Sequence, residues 1–147
     1  TINDKKAEPG NVYKREKNKE CRKFFTELKQ GKNSFRKYFP VQLEISPICD
    51  HAQNKWKCHR LLNGIAWPFE HKKSLKKAEY LYQTPPLYID NTVYILVFDF
   101  RRFYSQSLSE LKNIECAFKL KKSLLVDIQS HFSGHANRPG ITCLNNK

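Results

Sequence analysis

The chain of 147 residues is 39% hydrophobic and 13% aromatic, enough apolar material for one domain with a proper core. Lys+Arg 27 against Asp+Glu 14 gives a net charge of +13, a field that favours polyanions such as nucleic acid or an acidic protein partner. No apolar run approaches the roughly 18 residues a transmembrane helix needs, so a soluble protein without a membrane partner is expected.

Residues 1–19 are rich in Lys, Asn and Glu, with Pro9 and Gly10, and read as a basic linker or arm. Cys21, Phe24, Phe25 and Leu28 recur at helical spacing, predicting an amphipathic helix over 20–30 with Gly31 as its left-handed C-terminal cap. Through Lys37 there are twelve Lys/Arg and five Asp/Glu, the pattern of a segment that lies along a phosphate backbone. Phe39 to Ile45 alternates apolar and polar, which predicts a half-buried strand ended by Pro47.

Residues 48–55 read as a polar turn. Leu61, Leu62, Ile65, Ala66 and Trp67 then predict a strand interrupted at Asn63-Gly64, a pair suited to a type I′ turn or a bulge. Leu75, Ala78 and Tyr82 share a helical face, with Lys72, Lys73, Lys76 and Lys77 elsewhere. They predict a short basic helix over 70–82, closed by Pro85-Pro86. Leu87-Tyr88-Ile89, a turn at Asp90-Asn91 and the run from Thr92 to Phe103 predict a hairpin whose second arm is the most apolar strand in the chain, covered on both faces. Ser107-Leu-Ser-Glu110 has the spacing of a capping box. Leu120, Leu124, Leu125, Ile128 and Phe132 form one stripe, predicting a last helix over 121–133 that covers the sheet and stops at Gly134.

Five cysteines without a CxxC pair read as reduced thiols of a cytoplasmic protein. Cys49, His51, Cys58 and His59 are zinc-ligand types, but their spacings do not orient four ligands on one ion, so neither metal nor any other cofactor is expected. His131 and His135 sit one turn apart without the glutamate of a metalloprotease helix. A Cys–His nucleophile has no supporting spacing, so no catalytic residue is assigned. Asp99 followed by Glu110-Leu-Lys112 matches a loose metal-dependent nuclease pattern, although the capping box already accounts for Glu110. The more general feature is the interleaving of cations with aromatic rings at Lys37-Tyr38-Phe39, Lys55-Trp56-Lys57 and Arg101-Arg102-Phe103-Tyr104, which suits phosphate pairing and base stacking. An alternating strand with rings inward and lysines in water gives the same pattern.

From Val41 to Gly140 the order of features resembles small bacterial PemK/MazF-like modules of SH3-barrel type. The features are a strand leading into Cys49-Asp50 with Gln53 and Lys55, an apolar strand ending in Asp99-Phe100-Arg101, a short Ser-Leu-x-x-Leu turn, and a closing helix before Arg138. The resemblance implies a barrel, a toxin, defence or regulatory setting, and a structural turn role for Cys49 and Asp50. The Arg-Pro-x-x-Val setting of the RNA-cutting members is missing here, which points to a binding module rather than a ribonuclease.

The sequence therefore predicts an α+β fold: a small curved antiparallel sheet or SH3-like barrel with two or three flanking helices, spanning residues 20–140 between the arm and a tail at 141–147. With no methionine at position 1 or elsewhere, the chain is expected to be part of a longer polypeptide. The expected function is non-enzymatic binding of nucleic acid or an acidic protein through Lys55, Lys57, Lys72, Lys73, Lys76, Lys77, Arg101 and Arg102. The alternative is a metal-dependent nuclease or a MazF-like ribonuclease toxin.

Overall fold

The computed structural model describes residues 8–45, 58–107 and 116–136. Strands β1 (Asn11–Lys14), β2 (Phe39–Glu44), β3 (Cys58–Pro68), β4 (Leu81–Gln83), β5 (Leu87–Ile89), β6 (Thr92–Ser107) and β7 (Cys116–Lys119) form one antiparallel sheet. Helices α1 (Lys19–Leu28) and α2 (Lys122–Ala136) flank it. The order across the sheet is β4-β6-β3-β2-β1-β7, with β5 beside the start of β6. Among the described strands the sheet is open, with β4 and β5 at one margin and β7 at the other, and it does not close into a barrel.

Alternation along β6 explains how both faces are covered. Tyr94, Leu96, Phe98 and Phe100 point to one side, where they pack with Leu43, Leu62, Ala66 and the α2 residues Leu125 and Ile128. Ile95 and Val97 point to the other, against Ile65, Trp67 and the α1 residues Phe24, Phe25 and Leu28. On that second side Phe25 stacks on Tyr38 at 3.8 Å, and the Trp67 indole N–H donates to the His71 carbonyl at 2.9 Å. The hairpin between β5 and β6 turns on Asp90 (φ 50°) and Asn91 (φ 66°), the two left-handed residues of a type I′ turn.

Several expectations are corrected. The stretch read as an arm contains β1, an interior strand paired with β2 and β7, whose Val12 and Tyr13 are fully buried. β3 is not broken in two at Asn63-Gly64: of the two features expected of that pair, a type I′ turn or a bulge, it is the bulge that occurs, and the strand runs on through it. The 70–82 helix is absent: Phe69–Ser74 is a 3-10 segment, Leu75 bridges to Lys29, and Leu81 opens β4. Lys72/Lys76 and Lys73/Lys77 would have put like charges one helical turn apart. The backbone instead bonds across to α1, Gln30 N to Ser74 O at 2.6 Å and Lys76 N to Leu28 O at 2.8 Å. The same bridge makes Lys29 extended at the end of α1, so the left-handed Gly31 (φ 87°) turns the chain one residue beyond the position of a left-handed helix cap. Gly134 lies within α2, where a glycine near a helix end costs only about 1 kcal/mol. The capping box from 108 onward and Pro47 lie outside the described residues.

Candidate functional site

The pairing of β3 with β6 jumps from Leu62–Phe103 to Gly64–Phe98, so Asp99 to Arg102 stand opposite Asn63 alone. This wide bulge sets two guanidinium groups around one buried carboxylate. Asp99 is fully buried; its Oδ1 accepts from the Arg101 backbone N–H at 2.9 Å and from Arg101 Nε at 3.0 Å, and its Oδ2 accepts from Arg101 Nη2 at 2.8 Å. Arg102 Nε lies 3.5 Å from Oδ2, while Arg102 Nη2 donates to Glu27 of α1 at 2.9 Å. These hydrogen bonds from Arg101 to Asp99 push the pKa of Arg101 above its ordinary value. Both oxygens of Asp99 thus accept from Arg101; Glu110 and Lys112, the other members of the nuclease pattern, lie outside the described residues.

Of the cations nominated from the sequence, Arg101 and Arg102 stand at this bulge and Lys76 shares a ring with Arg101. The Arg101 guanidinium lies 3.7 Å from the centre of the Tyr80 ring, and Lys76 Nζ lies 5.6 Å from the same ring. Lys72, Lys73 and Lys77 are exposed on the segment that leads into it, with Lys72 Nζ 5.9 Å from the ring of the exposed Phe69. Arg102 rests 4.1 Å over Phe24. Lys55, Lys57, Cys49 and Asp50 lie outside the described residues.

A feature that sequence reasoning missed is a cleft of about 890 Å³ between the start of α1 and the sheet, lined by Arg15, Gln42, Asn63, Arg102 and Tyr104 among others. Arg15 donates to Gln42 Oε1, and Gln42 Nε2 donates to Asn63 Oδ1 at 2.8 Å. On the rim Lys17 donates to the Arg36 carbonyl at 2.5 Å and lies 3.8 Å over Tyr38; its partial burial lowers its pKa. The cleft depends on β1 being a sheet strand, because that is what brings Arg15 beside Gln42.

Elsewhere, Tyr82 donates to the Asp127 carboxylate, and His131 Nδ1 lies 3.6 Å from the other oxygen of that carboxylate. His135 packs at 5.7 Å from the Phe100 ring. Cys21 and Cys116 are free thiols, both pushed up in pKa by burial. Among the described residues no group of three or more His, Cys, Asp or Glu is placed to hold a metal ion, and no helix is long and apolar enough to cross a membrane. No family model, curated protein or solved structure matches the chain.

Proposed function

We propose that the chain is a basic, non-enzymatic nucleic-acid-binding module with a regulatory or defence role. The observation that supports this best is Tyr80, whose ring holds Lys76 of the lysine segment beside Arg101 of the long strand. Lysine is a hydrated point charge, suited to phosphate and poor at bidentate base recognition, so this surface binds with little sequence preference and steep salt dependence. Exposed Phe69 adds a face on which bases stack.

The test is incubation of the purified protein with single- and double-stranded DNA and RNA, with and without Mg²⁺. Retained and intact substrate supports a binder; fragments establish the nuclease alternative. Neutralising Lys72, Lys73, Lys76 and Lys77 together weakens affinity for all sequences alike and flattens the slope of log K against log salt by roughly one unit for each phosphate no longer neutralised. Absence of retention at about 50 mM salt, where counterion release favours binding, overturns the proposal in favour of an acidic protein partner.

A further inference from the structure

The floor of the cleft has a fixed hydrogen-bond polarity. The side-chain amides of Gln and Asn present an oxygen or a nitrogen depending on how they are turned, and the choice follows from their partners. Arg15 can only donate, so Gln42, which is more than nine-tenths buried, must give it Oε1. Gln42 then has only Nε2 for Asn63, and Asn63 must answer with Oδ1. The half-buried Asn63 is left with its amino group to offer the cleft, between Arg15 and Arg102, which also only donate. Among the charged lining residues Glu16 and Glu20 offset Lys14 and Lys17, which leaves Arg15 and Arg102 as the excess positive charge.

We propose that this cleft seats a single unpaired nucleotide bearing a keto base: uracil, thymine or guanine. A base carbonyl accepts from the Asn63 amino group, the phosphate lies against Arg15, and the half-exposed Tyr104 ring offers a stacking face. Adenine and cytosine are disfavoured because their exocyclic amino groups would meet donors, the Asn63 amino group and the Arg15 and Arg102 guanidiniums, while Asn63 Oδ1 already accepts from Gln42. The cleft volume of about 890 Å³ accommodates one nucleotide. The nucleotide is either free or one unit of a strand held on the lysine surface; only the second case rests on the nucleic-acid reading above.

The experiment titrates isotope-labelled full chain with uridine monophosphate and adenosine monophosphate, following the side-chain amide resonances of Asn63 and Gln42. Uridine monophosphate should shift the Asn63 pair and bind about tenfold more tightly than the adenosine nucleotide. Gln42→Glu keeps an acceptor for Arg15 but accepts from Asn63 as well, turning the Asn63 oxygen into the cleft; the preference should then invert toward adenine. Asn63→Asp should abolish uridine binding, with circular dichroism confirming the fold. Equal shifts by both nucleotides, no shift by either, or an unchanged preference in Gln42→Glu overturns the proposal. A parallel arm compares short oligouridine and oligoadenosine. Tighter oligouridine binding that falls with the Lys72/Lys73/Lys76/Lys77 variant places the nucleotide in a strand. Polymer retention without a mononucleotide response rejects the cleft alone, and a mononucleotide response without polymer retention rejects the surface alone.

Discussion

Phe98 lays its ring across Gly64, its partner on the neighbouring strand: a Cβ at Gly64 would stand 2.6 Å from Cδ1 of that ring and closer still to the Val97 carbonyl oxygen. The missing side chain lets β3 and β6 approach at the bulge that positions Asp99, Arg101 and Arg102. Gly64→Ala should therefore cost about 2–3 kcal/mol, because rigid backbone must give way. A urea midpoint changed by the equivalent of less than about 0.5 kcal/mol would show that the approach is not constrained.

Leu96 and Ile95 lie on opposite faces of the same strand, one among the residues beneath α2 and one among those beneath α1, and both are almost wholly buried. Truncating either to Ala should cost about 2–5 kcal/mol in a denaturant titration. A large loss for one and a negligible loss for the other would mean that one face of the sheet is solvated.

Asp99 neutralises cations that would otherwise face solvent. Asp99→Asn should destabilise the fold by about 2 kcal/mol, less than the ~3–5 kcal/mol of a fully buried pair, because Arg101 is half exposed and turns to water. It should also strengthen polyanion binding at low salt, since a guanidinium beside Tyr80 is released. Unchanged stability together with weaker binding would contradict both halves of this account.

Burial pushes the phenols of Tyr13, Tyr38, Tyr82 and Tyr94 above the ordinary value near 10, and at Tyr82 the bonded Asp127 carboxylate adds to the effect. The folded state holds these protons more tightly than the unfolded chain does. The stability they contribute is complete below about pH 10 and is lost as pH rises beyond it. Denaturant midpoints should be flat from neutrality to about pH 9 and fall above about pH 10, with tyrosinate absorbance from these four rings appearing together with unfolding. Tyr82→Phe should shallow that fall; a midpoint that keeps its value past about pH 11 would refute the linkage.

How much of this was legible follows from the range of the interactions. The hairpin at Asp90-Asn91 and the doubly covered strand after it are written in adjacent residues, turn chemistry beside a dense apolar run. The α1 stripe of Cys21, Phe24, Phe25 and Leu28 is equally local. β1 and β7 are four residues each, too short to show a period, and exist because β1 pairs with β2 on one side and with β7 on the other. The lysine segment followed its pairing with Leu28 and Gln30 against its own helical spacing. The cleft was illegible for the same reason: Arg15, Gln42 and Asn63 come from three separate stretches, 27 and 21 residues apart, and only strand register makes them neighbours. The cations at 72–77 and 101 could be nominated one by one, but the meeting of Lys76 with Arg101 at Tyr80 is a tertiary fact.

The margin of the sheet beside β6 is built from two three-residue strands separated by Thr84, Pro85 and Pro86. Thr84 keeps the ladder in step, its N–H donating to the Leu96 carbonyl at 3.0 Å and its hydroxyl accepting from the Leu96 N–H at 2.9 Å. Beyond it the two exposed prolines offer no N–H, so an incoming chain finds a broken template on this side. The most apolar part of β6, Thr92 to Asp99, the segment best suited to seed a cross-β stack, is thereby kept one position in from the boundary. Protection against self-assembly is set by the covalent chain at Pro85-Pro86 and does not depend on the repulsion of its many lysines, so it persists at salt concentrations that screen them.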